Sequence, residues 1–253
     1  MVTVTLSSFK GGTGKSSLTI LLGNAYAASG RRVLTIDLDH QQNVTRYHAT
    51  DLDAITERNI AEAFHRETLD GNVLPSHVVN TDFVAGSFGV LKQRTVNPRT
   101  LTRILEPVRD DYDVCIVDCP GTVDNIVLNG WYAADRIVTP ARQDGFDLLG
   151  IKDFQEIMTG ELTEAKPWTI VLNFYRTPRT SSSDNLGIQM GEAFTAKYSN
   201  LSAVRIPETV TIERAVHGAE MITTAKRTRP VYDAIVGLAT ELLGEPVEPK
   251  GAI

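Results

Sequence analysis

A glycine-rich segment directly after an apolar run is the feature that most constrains the fold of this chain. The apolar run spans Val2 to Leu6, and the later segment reads Phe-Lys-Gly-Gly-Thr-Gly-Lys-Ser-Ser at residues 9–17. Between a strand and a helix, such glycines let backbone N–H groups turn inward around an anion, and the helix N-terminus adds the positive end of its dipole. The segment therefore predicts a buried strand over 2–8, a phosphate-binding loop, and a helix over 15–29.

Two lysines lie in this loop, where an ordinary phosphate loop has one. Lys15 occupies the lysine position of the G-x-x-x-x-G-K-[ST] pattern and is expected to reach the β- and γ-phosphates of a nucleotide, while Ser16 supplies a hydroxyl to Mg²⁺. Lys10 stands directly before the double glycine, and Phe9 replaces the leading glycine of the pattern. A second cation beside Lys15 costs self-repulsion unless it neutralises phosphate. A phosphate bound by a second copy of the chain would give Lys10 that role.

Strand-like runs alternate with helical patterns along the rest of the chain, which predicts an α/β fold with a mainly parallel, twisted sheet covered by helices on both faces. The 253 residues, 42% of them hydrophobic, suit a single domain over 1–244 with a flexible tail over 245–253. The predicted strands are 2–8, 32–36, pieces of 78–88, 112–117, 136–140, 169–173 and 201–206; the predicted helices are 15–29, much of 43–75, 98–108, 125–133, 146–158, 184–198, 210–218 and 231–243.

The composition argues against a secreted or membrane-spanning protein. The two cysteines, Cys115 and Cys119, provide no disulfide framework and are expected to be small buried residues in a reducing compartment. No basic and then apolar leader opens the sequence, and no apolar run reaches the roughly 18 residues that cross a membrane. We therefore expect a cytoplasmic protein without a membrane partner.

Three aspartates follow predicted strands. Asp118 closes the apolar run 112–117, which is how a Walker B carboxylate meets the metal, usually through water. Asp37 and Asp39 leave the second strand two residues apart, so that both side chains point to the same side while the strand continues. Such a pair near Mg²⁺ can orient a water for attack on the γ-phosphate. The alternative is structural: a helix cap at one of the pair and a turn residue at Asp118.

Together these residues resemble the deviant Walker motifs of the ParA/MinD family of ATPases. The motifs are Lys-Gly-Gly-Thr-Gly-Lys-Ser at 10–16, Asp-Leu-Asp at 37–39 followed by Gln41, Gln42 and Asn43, and Tyr-Asp-Val-Cys-Ile-Val-Asp-Cys-Pro at 112–120. Weaker similarities at 129–140 and 206–218 extend the resemblance over about residues 2 to 243. Only Met1 precedes the first strand, so the chain looks like the short ParA type that lacks an N-terminal helix-turn-helix domain.

The resemblance implies a Rossmann-like P-loop NTPase fold and a slow ATPase that closes a sandwich homodimer around ATP and Mg²⁺. It implies that Lys10 crosses to the partner's nucleotide, that Asp39 helps to position the hydrolytic water, and that Asp37 and Asp118 support the metal with Ser16. Lys10, Lys15 and Asp39 are then the catalytic set. The implied nucleotide contacts are Lys10, Gly11, Gly12, Thr13, Gly14, Lys15, Ser16 and Ser17 around the phosphates, with Asn173, Pro207, Glu208 and Thr209 around adenine. For Asn173, a turn residue after a strand remains the alternative.

Charge is unevenly distributed along the chain. The net charge is −6, but residues 170–235 hold eight Lys or Arg against six Asp or Glu, a net of +2. The basic run Lys226, Arg227 and Arg229, joined by Arg205, is the candidate surface for nonspecific double-stranded DNA, with contacts to phosphates that salt weakens. An ordinary solvated face before a helix is the alternative. The end of the chain is acidic and broken by prolines, unlike the basic amphipathic helix of MinD-like proteins.

In this interpretation the cargo is a plasmid or chromosome whose ParB-like adaptor stimulates hydrolysis, and the ATPase is associated with the nucleoid. Three alternatives remain: positioning of a protein cargo such as a chemoreceptor cluster or a microcompartment, a metabolic ATP-dependent ligase, and a non-hydrolysing scaffold. Two residues depart from the family pattern, since His40 and Gly121 stand where prolines are common. Both lie in switch-like loops, and their effect on hydrolysis is left open.

Overall fold

A computed structural model of the chain describes residues 1–176, 185–218 and 220–253, with the side chains of the second range given from residue 189. The strands are β1 Val2–Leu6, β2 Val33–Asp37, β3 Val73–Pro75, β4 Thr81–Val84, β5 Val114–Asp118, β6 Arg136–Ala141, β7 Trp168–Tyr175 and β8 Leu201–Pro207. The helices are α1 Lys15–Ala28, α2 Asn43–His48, α3 Ala54–Glu57, α4 Ile60–Arg66, α5 Thr100–Leu105, α6 Asn125–Ala133, α7 Gly145–Glu161, α8 Asn185–Lys197, α9 Val210–Val216 and α10 Arg229–Leu243. Two 3₁₀ turns lie at Phe88–Gln93 and Glu106–Val108.

The strands in the described ranges form one sheet with the order β3-β4-β2-β5-β1-β6-β7-β8. Every neighbouring pair is parallel except β3 and β4. All five residues of β2 and of β5 are buried, as expected for central parallel strands that are covered on both faces. The predicted α/β architecture with a mainly parallel sheet is confirmed.

Alternation along the strands divides the core between the two faces. On one face, Val4 and Ile116 pack with α1, α9 and α10. On the other face, Cys115 and Val117 pack with α4, α5, α6 and α7. Cys115 and Cys119 are free and buried, as the sequence analysis expected. No helix in the described part of the chain is long and apolar enough to cross a membrane.

Several predicted elements have different limits in the structure. The helix expected from Pro98 begins instead at Thr100, because Asn97 forms a turn in which its side chain accepts from the Arg99 N–H at 2.9 Å. The polar stretch 43–75 divides into α2, α3, α4 and the short β3, since Asn59 caps a new helix through the N–H groups of Ala61 and Glu62. Asp184, the expected first residue of the helix 184–198, lies outside the described residues.

The segment 245–253, which the sequence suggested would be a flexible tail, lies against the domain in the structure. Val247 and Ile253 are buried in the same core cluster as α1 and α10. Ile253 and Ile222 exchange both backbone hydrogen bonds, at 2.9 and 3.1 Å, and the Lys250 N–H donates to the Ala28 carbonyl. The two apolar side chains provide the burial that holds this polar, proline-containing segment in place.

Candidate nucleotide-binding site

The glycine-rich loop lies where the carboxyl ends of the central strands meet. Leu6 of β1 and Asp37 of β2 both pair in register with Asp118 of β5, so the loop after β1 faces both carboxylates. Gly12 and Gly14 have φ values of +72° and +88°, a left-handed conformation that L side chains rarely adopt. A Cβ on Gly14 would also lie 2.1 Å from the Asn173 amide nitrogen. The loop can therefore close only with glycine at position 14.

The loop is stabilised from inside by small polar side chains. The hydroxyls of Ser8 and Thr13 lie 2.9 Å apart, and Thr13 is buried. Lys15 is 8% exposed and its ammonium donates to the Lys10 carbonyl at 3.5 Å. Gly11 is exposed at the rim of the loop, while Ser17 is partly buried in the first turn of α1. The residues predicted to contact phosphate thus lie together in one loop and the first turn of α1, with Lys15 buried among them.

Ser16 and Asp118 are brought together as the sequence predicted. The Ser16 hydroxyl donates to Asp118 Oδ2 at 2.6 Å, and the Thr19 hydroxyl donates to Oδ1 at 3.3 Å. Burial, and then the negative charge of Asp37, raise the pKa of Asp118 above its ordinary value. A buried carboxylate beside a hydroxyl is stabilised by a cation, and these hard oxygen donors are those that Mg²⁺ prefers.

Asp37 is held rigidly behind this pair. Its Oδ2 accepts from the Thr45 N–H at 2.9 Å and from the Thr45 hydroxyl at 2.7 Å, and its Oδ1 accepts from the Asp39 N–H at 3.0 Å. A Cβ on Gly86 would lie 2.9 Å from the Asp37 carboxyl carbon, so the chain approaches closely here. Burial raises the pKa of Asp37, against the hydrogen bonds from Thr45.

The residues around the two aspartates suit Mg²⁺ held jointly by the protein and a nucleotide. Nowhere among the residues with described positions do three or more His, Cys, Asp or Glu side chains form a metal cage. Mg²⁺ is usually bound through one or two carboxylates together with substrate phosphates and waters. Ser16, Asp118 and Asp37 supply that kind of partial site next to the phosphate loop.

Asp39 lies at the start of the loop that follows β2. Its Oδ1 accepts from the Gln41 N–H at 2.9 Å, which is a turn role, and lies 3.3 Å from Nδ1 of His40. The histidine that replaces a common proline therefore contacts the predicted water-positioning carboxylate. Gly121, the other departure, lies against the phosphate loop: a Cβ there would be 3.5 Å from the Phe9 carbonyl oxygen and 3.9 Å from the Lys15 ammonium.

Lys10 extends from the rim of the loop and is paired within its own chain. Its ammonium forms ion pairs with Asp147 and, at 3.5 Å, with Asp144, and lies 5.8 Å from the centre of the Phe146 ring. Burial lowers the pKa of Lys10, but the hydrogen bond and charge of Asp147, with those of Asp144, outweigh it and leave the pKa raised. Its side chain is 42% exposed, so this cation lies at the surface of the molecule.

The four predicted adenine contacts lie at the ends of β7 and β8. Asn173 is 2% exposed; its amide donates to the Thr13 carbonyl at 2.7 Å and accepts from the Phe174 N–H. Pro207 ends β8, and Glu208 forms an ion pair with Arg176. The Thr209 hydroxyl caps α9 by accepting from the Thr211 N–H at 3.2 Å. The structure thus places Asn173 directly behind the phosphate loop, with both amide atoms engaged.

Three side chains that the sequence interpretation did not single out support the loop. Arg142 donates to the Gly12 carbonyl at 2.6 Å, and Asp144 and Asp147 form ion pairs with Lys10. Asp144 also caps α7 by accepting from the Asp147 N–H at 2.8 Å. An aspartate before a helix predicts a cap. Nothing in the local pattern indicates that the helix begins beside Lys10, because that contact spans 134 residues.

The four candidate DNA contacts do not form one surface. Lys226, Arg227 and Arg229 lie together before and at the start of α10. Arg227 pairs with Glu220, and Arg229 lies 3.3 Å from Asp233. Within the described ranges, Lys226 has no ion pair.

Arg205 is apart from this group. Its guanidinium donates to the carbonyls of Ser202 and Val204 in its own strand. Val204 and Ile206 face α10, so alternation turns Arg205 toward the opposite face of the sheet, where it lines a cavity with Leu172 and residues of α8.

Comparison with known proteins places these features in context. A family model described as AAA domain (AAA_31) matches residues 1–166. The "Virulence plasmid ParA family protein pGP5-D" of Chlamydia psittaci is 26% identical over 252 residues, covering 96% of this chain and 94% of that protein. The "Maintenance of carboxysome distribution protein A" of Synechococcus elongatus is 29% identical over 149 residues, covering 56% of this chain and 58% of that protein. A putative plasmid partition protein from Borrelia burgdorferi, solved bound to AMPPNP, has a similar fold, with a TM-score of 0.79, 18% identity, and coverage of 96% of this chain and 98% of that one.

Proposed function

Since this chain belongs to the AAA_31 family and is a P-loop ATPase of the ParA/MinD type, we propose that it is a nucleotide-dependent dimer switch that partitions or positions a cargo. Two ATP-bound copies pair face to face and bind nonspecific double-stranded DNA. An adaptor protein on the cargo stimulates hydrolysis, which opens the dimer and releases the DNA.

The position of the second lysine is the observation that supports this proposal. Lys15 fills the phosphate loop from inside, whereas Lys10 extends from its rim with 42% of its side chain exposed. A cation at the rim can reach a phosphate outside its own loop. A second copy that presents its nucleotide to this rim would complete the neutralisation of both triphosphates, so dimerisation would depend on ATP.

The other residues of the site each have a separate role in the proposed hydrolysis. The N–H groups of the loop and Lys15 hold the β- and γ-phosphates, and Ser16, Asp37 and Asp118 hold Mg²⁺ directly or through water. Mg²⁺ would neutralise charge that develops on the phosphate oxygens. Asp39, at the start of the loop after β2, is assigned to orient the attacking water. Hydrolysis stays slow in a switch of this kind because the loop binds the ground state well before an adaptor acts.

DNA binding is assigned to the surface around Lys226 and Arg229, through phosphates and therefore without sequence preference. If the cargo is a plasmid, the protein associates with the nucleoid in the cytoplasm. Its adaptor is then similar to ParB. A second cargo class is supported by one comparison: the similarity to a carboxysome distribution protein favours a protein cargo with its own adaptor.

Measurement of molecular mass by light scattering with ATP, with ADP and without nucleotide tests the proposal. We expect ATP alone to double the mass of the wild-type protein. Lys10→Ala should bind ATP and remain a monomer. Lys152→Ala, which removes a lysine paired with Glu156 on α7, is the matched control and should dimerise normally. An ATP-bound wild-type protein that stays monomeric, or Lys10→Ala that dimerises and turns over normally, would refute the proposal.

A second arm adds nonspecific DNA. Retention that requires ATP supports a nucleoid-bound cycle. An ATP-dependent dimer that retains no DNA would favour a switch that acts without the nucleoid.

A further inference from the structure

Two consecutive carbonyl groups of the phosphate loop accept hydrogen bonds from side chains outside the loop. The Gly12 carbonyl accepts from Arg142 Nη2 at 2.6 Å, and the Thr13 carbonyl accepts from the Asn173 amide at 2.7 Å. The two donors come from neighbouring parallel strands. Arg142 follows β6 directly and Asn173 lies in β7, and their preceding residues, Ala141 and Leu172, are partners in register.

These hydrogen bonds determine which way the loop's N–H groups point. In a planar trans peptide the C=O and the N–H of the next residue point in opposite directions. A donor that holds the Gly12 carbonyl outward therefore aims the Thr13 N–H to the opposite side, and the same holds for the Thr13 carbonyl and the Gly14 N–H. Successive N–H groups fixed in this way form an anion-binding concavity.

Two further contacts hold Arg142 in place. Its guanidinium lies 4.9 Å from the centre of the Phe174 ring, and its backbone N–H donates to Asp147 Oδ2 at 2.5 Å. Phe174 has a φ of +54°, an uncommon conformation for an aromatic residue, which places its ring beside the loop. The space is tight, since a Cβ on Gly12 would lie 3.3 Å from Arg142 Nη2.

We propose that Arg142 is a positioning residue for nucleotide binding: its guanidinium holds the Gly12 carbonyl away from the phosphates and so keeps the loop ready for the anion. This inference rests on the proposed ATP site and adds to it. Asn173 holds the next peptide from inside the sheet and is buried, whereas Arg142 works from the exposed rim. Arg142, the exposed donor, therefore determines how well the loop around Gly12 is ordered before the nucleotide binds.

The test is nucleotide affinity, measured by calorimetry with Mg²⁺-ATP and with Mg²⁺-ADP in the absence of DNA. Arg142→Ala should weaken both nucleotides by about tenfold, the size expected for one charge-assisted hydrogen bond. Both should weaken equally, because the loop holds phosphates that ATP and ADP share. KM for ATP should rise by a similar factor with kcat changed less than about threefold, since the guanidinium acts before the chemical step. Arg142→Lys, which keeps one charged donor, should recover part of the affinity.

Arg99→Ala is the matched control, because Arg99 also stacks on an aromatic ring, Tyr132 at 4.1 Å, but donates to Thr163 away from the loop. Its nucleotide affinities should equal those of the wild type. Unchanged affinity in Arg142→Ala would overturn the inference. A loss confined to ATP would also overturn it, since that would make Arg142 a direct ligand of the γ-phosphate. A wild-type protein that binds neither nucleotide would refute the proposed function itself and the inference with it.

Discussion

Lys10 and Asp147 form an ion pair within a single chain, and the Asp147 carboxylate lies buried at the start of α7. Its other oxygen accepts from the Arg142 N–H. A buried carboxylate that loses its cation is costly. Lys10 can therefore leave this pair only for a partner that binds it at least as well, and in the proposed dimer that partner would be a triphosphate on the second subunit. In the proposed dimer, the pair across the interface would compete with the pair within the chain for one ammonium.

Asp147→Asn should make dimerisation easier. The amide removes the competing charge and keeps an oxygen that can accept the Arg142 N–H. We expect the ATP concentration at half-maximal dimer to fall roughly fivefold, which corresponds to about 1 kcal/mol, in light-scattering titrations. Asp153→Asn, an exposed site on the same helix, is the control. An unchanged or higher midpoint would mean that the two pairs do not compete.

Asp39→Ala should trap the ATP-bound dimer. The carboxylate is assigned to the attacking water, and loss of such a group costs about 10²-fold or more in turnover, measured as phosphate release. Because Asp39 also accepts from the Gln41 N–H, Asp39→Asn separates the two roles by keeping a turn acceptor. Prompt dissociation of both variants after ATP exposure would count against the assignment.

Substitution of alanine for glycine should destabilise the protein at position 14 but not at position 11. Gly14→Ala places a side chain at φ +88° and its Cβ against Asn173, so the free energy of unfolding should fall by at least about 1–2 kcal/mol, with loss of ATP binding. A Cβ on Gly11 meets no heavy atom within 4 Å, so Gly11→Ala should change stability by less than about 0.5 kcal/mol. Chemical denaturation compares the two. Equal stabilities would show that the loop relaxes around either substitution.

The stability of the nucleotide-free protein should fall as pH rises. Burial raises the pKa of Asp37 and of Asp118, so the folded protein retains protons that the unfolded chain, with carboxyl pKa values of about 4, has released. The stability that these two protonated carboxyls contribute is fully present below about pH 4 and is lost as pH rises through the raised pKa values, by at most about 1.4 kcal/mol per pH unit for each carboxylate. Melting temperatures between pH 5 and 8 measure this decline. Mg²⁺-ATP should remove this decline in melting temperature, and Asp118→Asn should reduce the decline. A melting temperature that rises with pH would contradict the prediction.

Reversal of charge before α10 should release DNA. Lys226 has no ion pair in the part of the chain that is described, and the exposed pair of Arg229 with Asp233 is weak enough to exchange for phosphate. Lys226→Glu with Arg229→Glu should abolish ATP-dependent retention of DNA. Single neutralisations should reduce the slope of log K against log salt by about 0.9 each.

The control for that experiment is Arg66→Glu, whose arginine forms the same i,i+4 type of exposed pair, with Glu62 on α4. Its DNA retention should be unchanged. Arg205→Ala should also retain DNA, because that guanidinium is bonded to its own strand on the other face of the sheet. If Arg205→Ala alone abolishes retention, the DNA surface lies elsewhere.

The sheet and the proximity of the phosphate loop to Asp118 could be predicted from the sequence, because short local patterns indicate them. Apolar runs closing on Asp37 and Asp118 identify strand ends, and the order of strands and helices then brings those ends together with the loop before Lys15. Element limits were less accurate where side-chain caps decide them, as at Asn59 and Asn97.

Long-range contacts around the loop could not be predicted in the same way. The Arg142 hydrogen bond to Gly12 spans 130 residues, and the Lys10 pair with Asp144 spans 134. Each depends on how β6 and α7 sit beside β1, which a linear pattern does not specify. The sequence likewise grouped Arg205 with the basic run, although strand alternation separates them in space.

The paired backbone of Ile222 and Ile253 has a practical consequence for work in cells. A fluorescent reporter joined directly to Ile253 would load the backbone of Ile222, a few positions before Lys226, and we expect it to weaken the proposed nucleic-acid contact while leaving the ATPase intact. A longer spacer after Ile253, or a reporter at another site, would keep imaging of the protein's movements faithful to the untagged molecule.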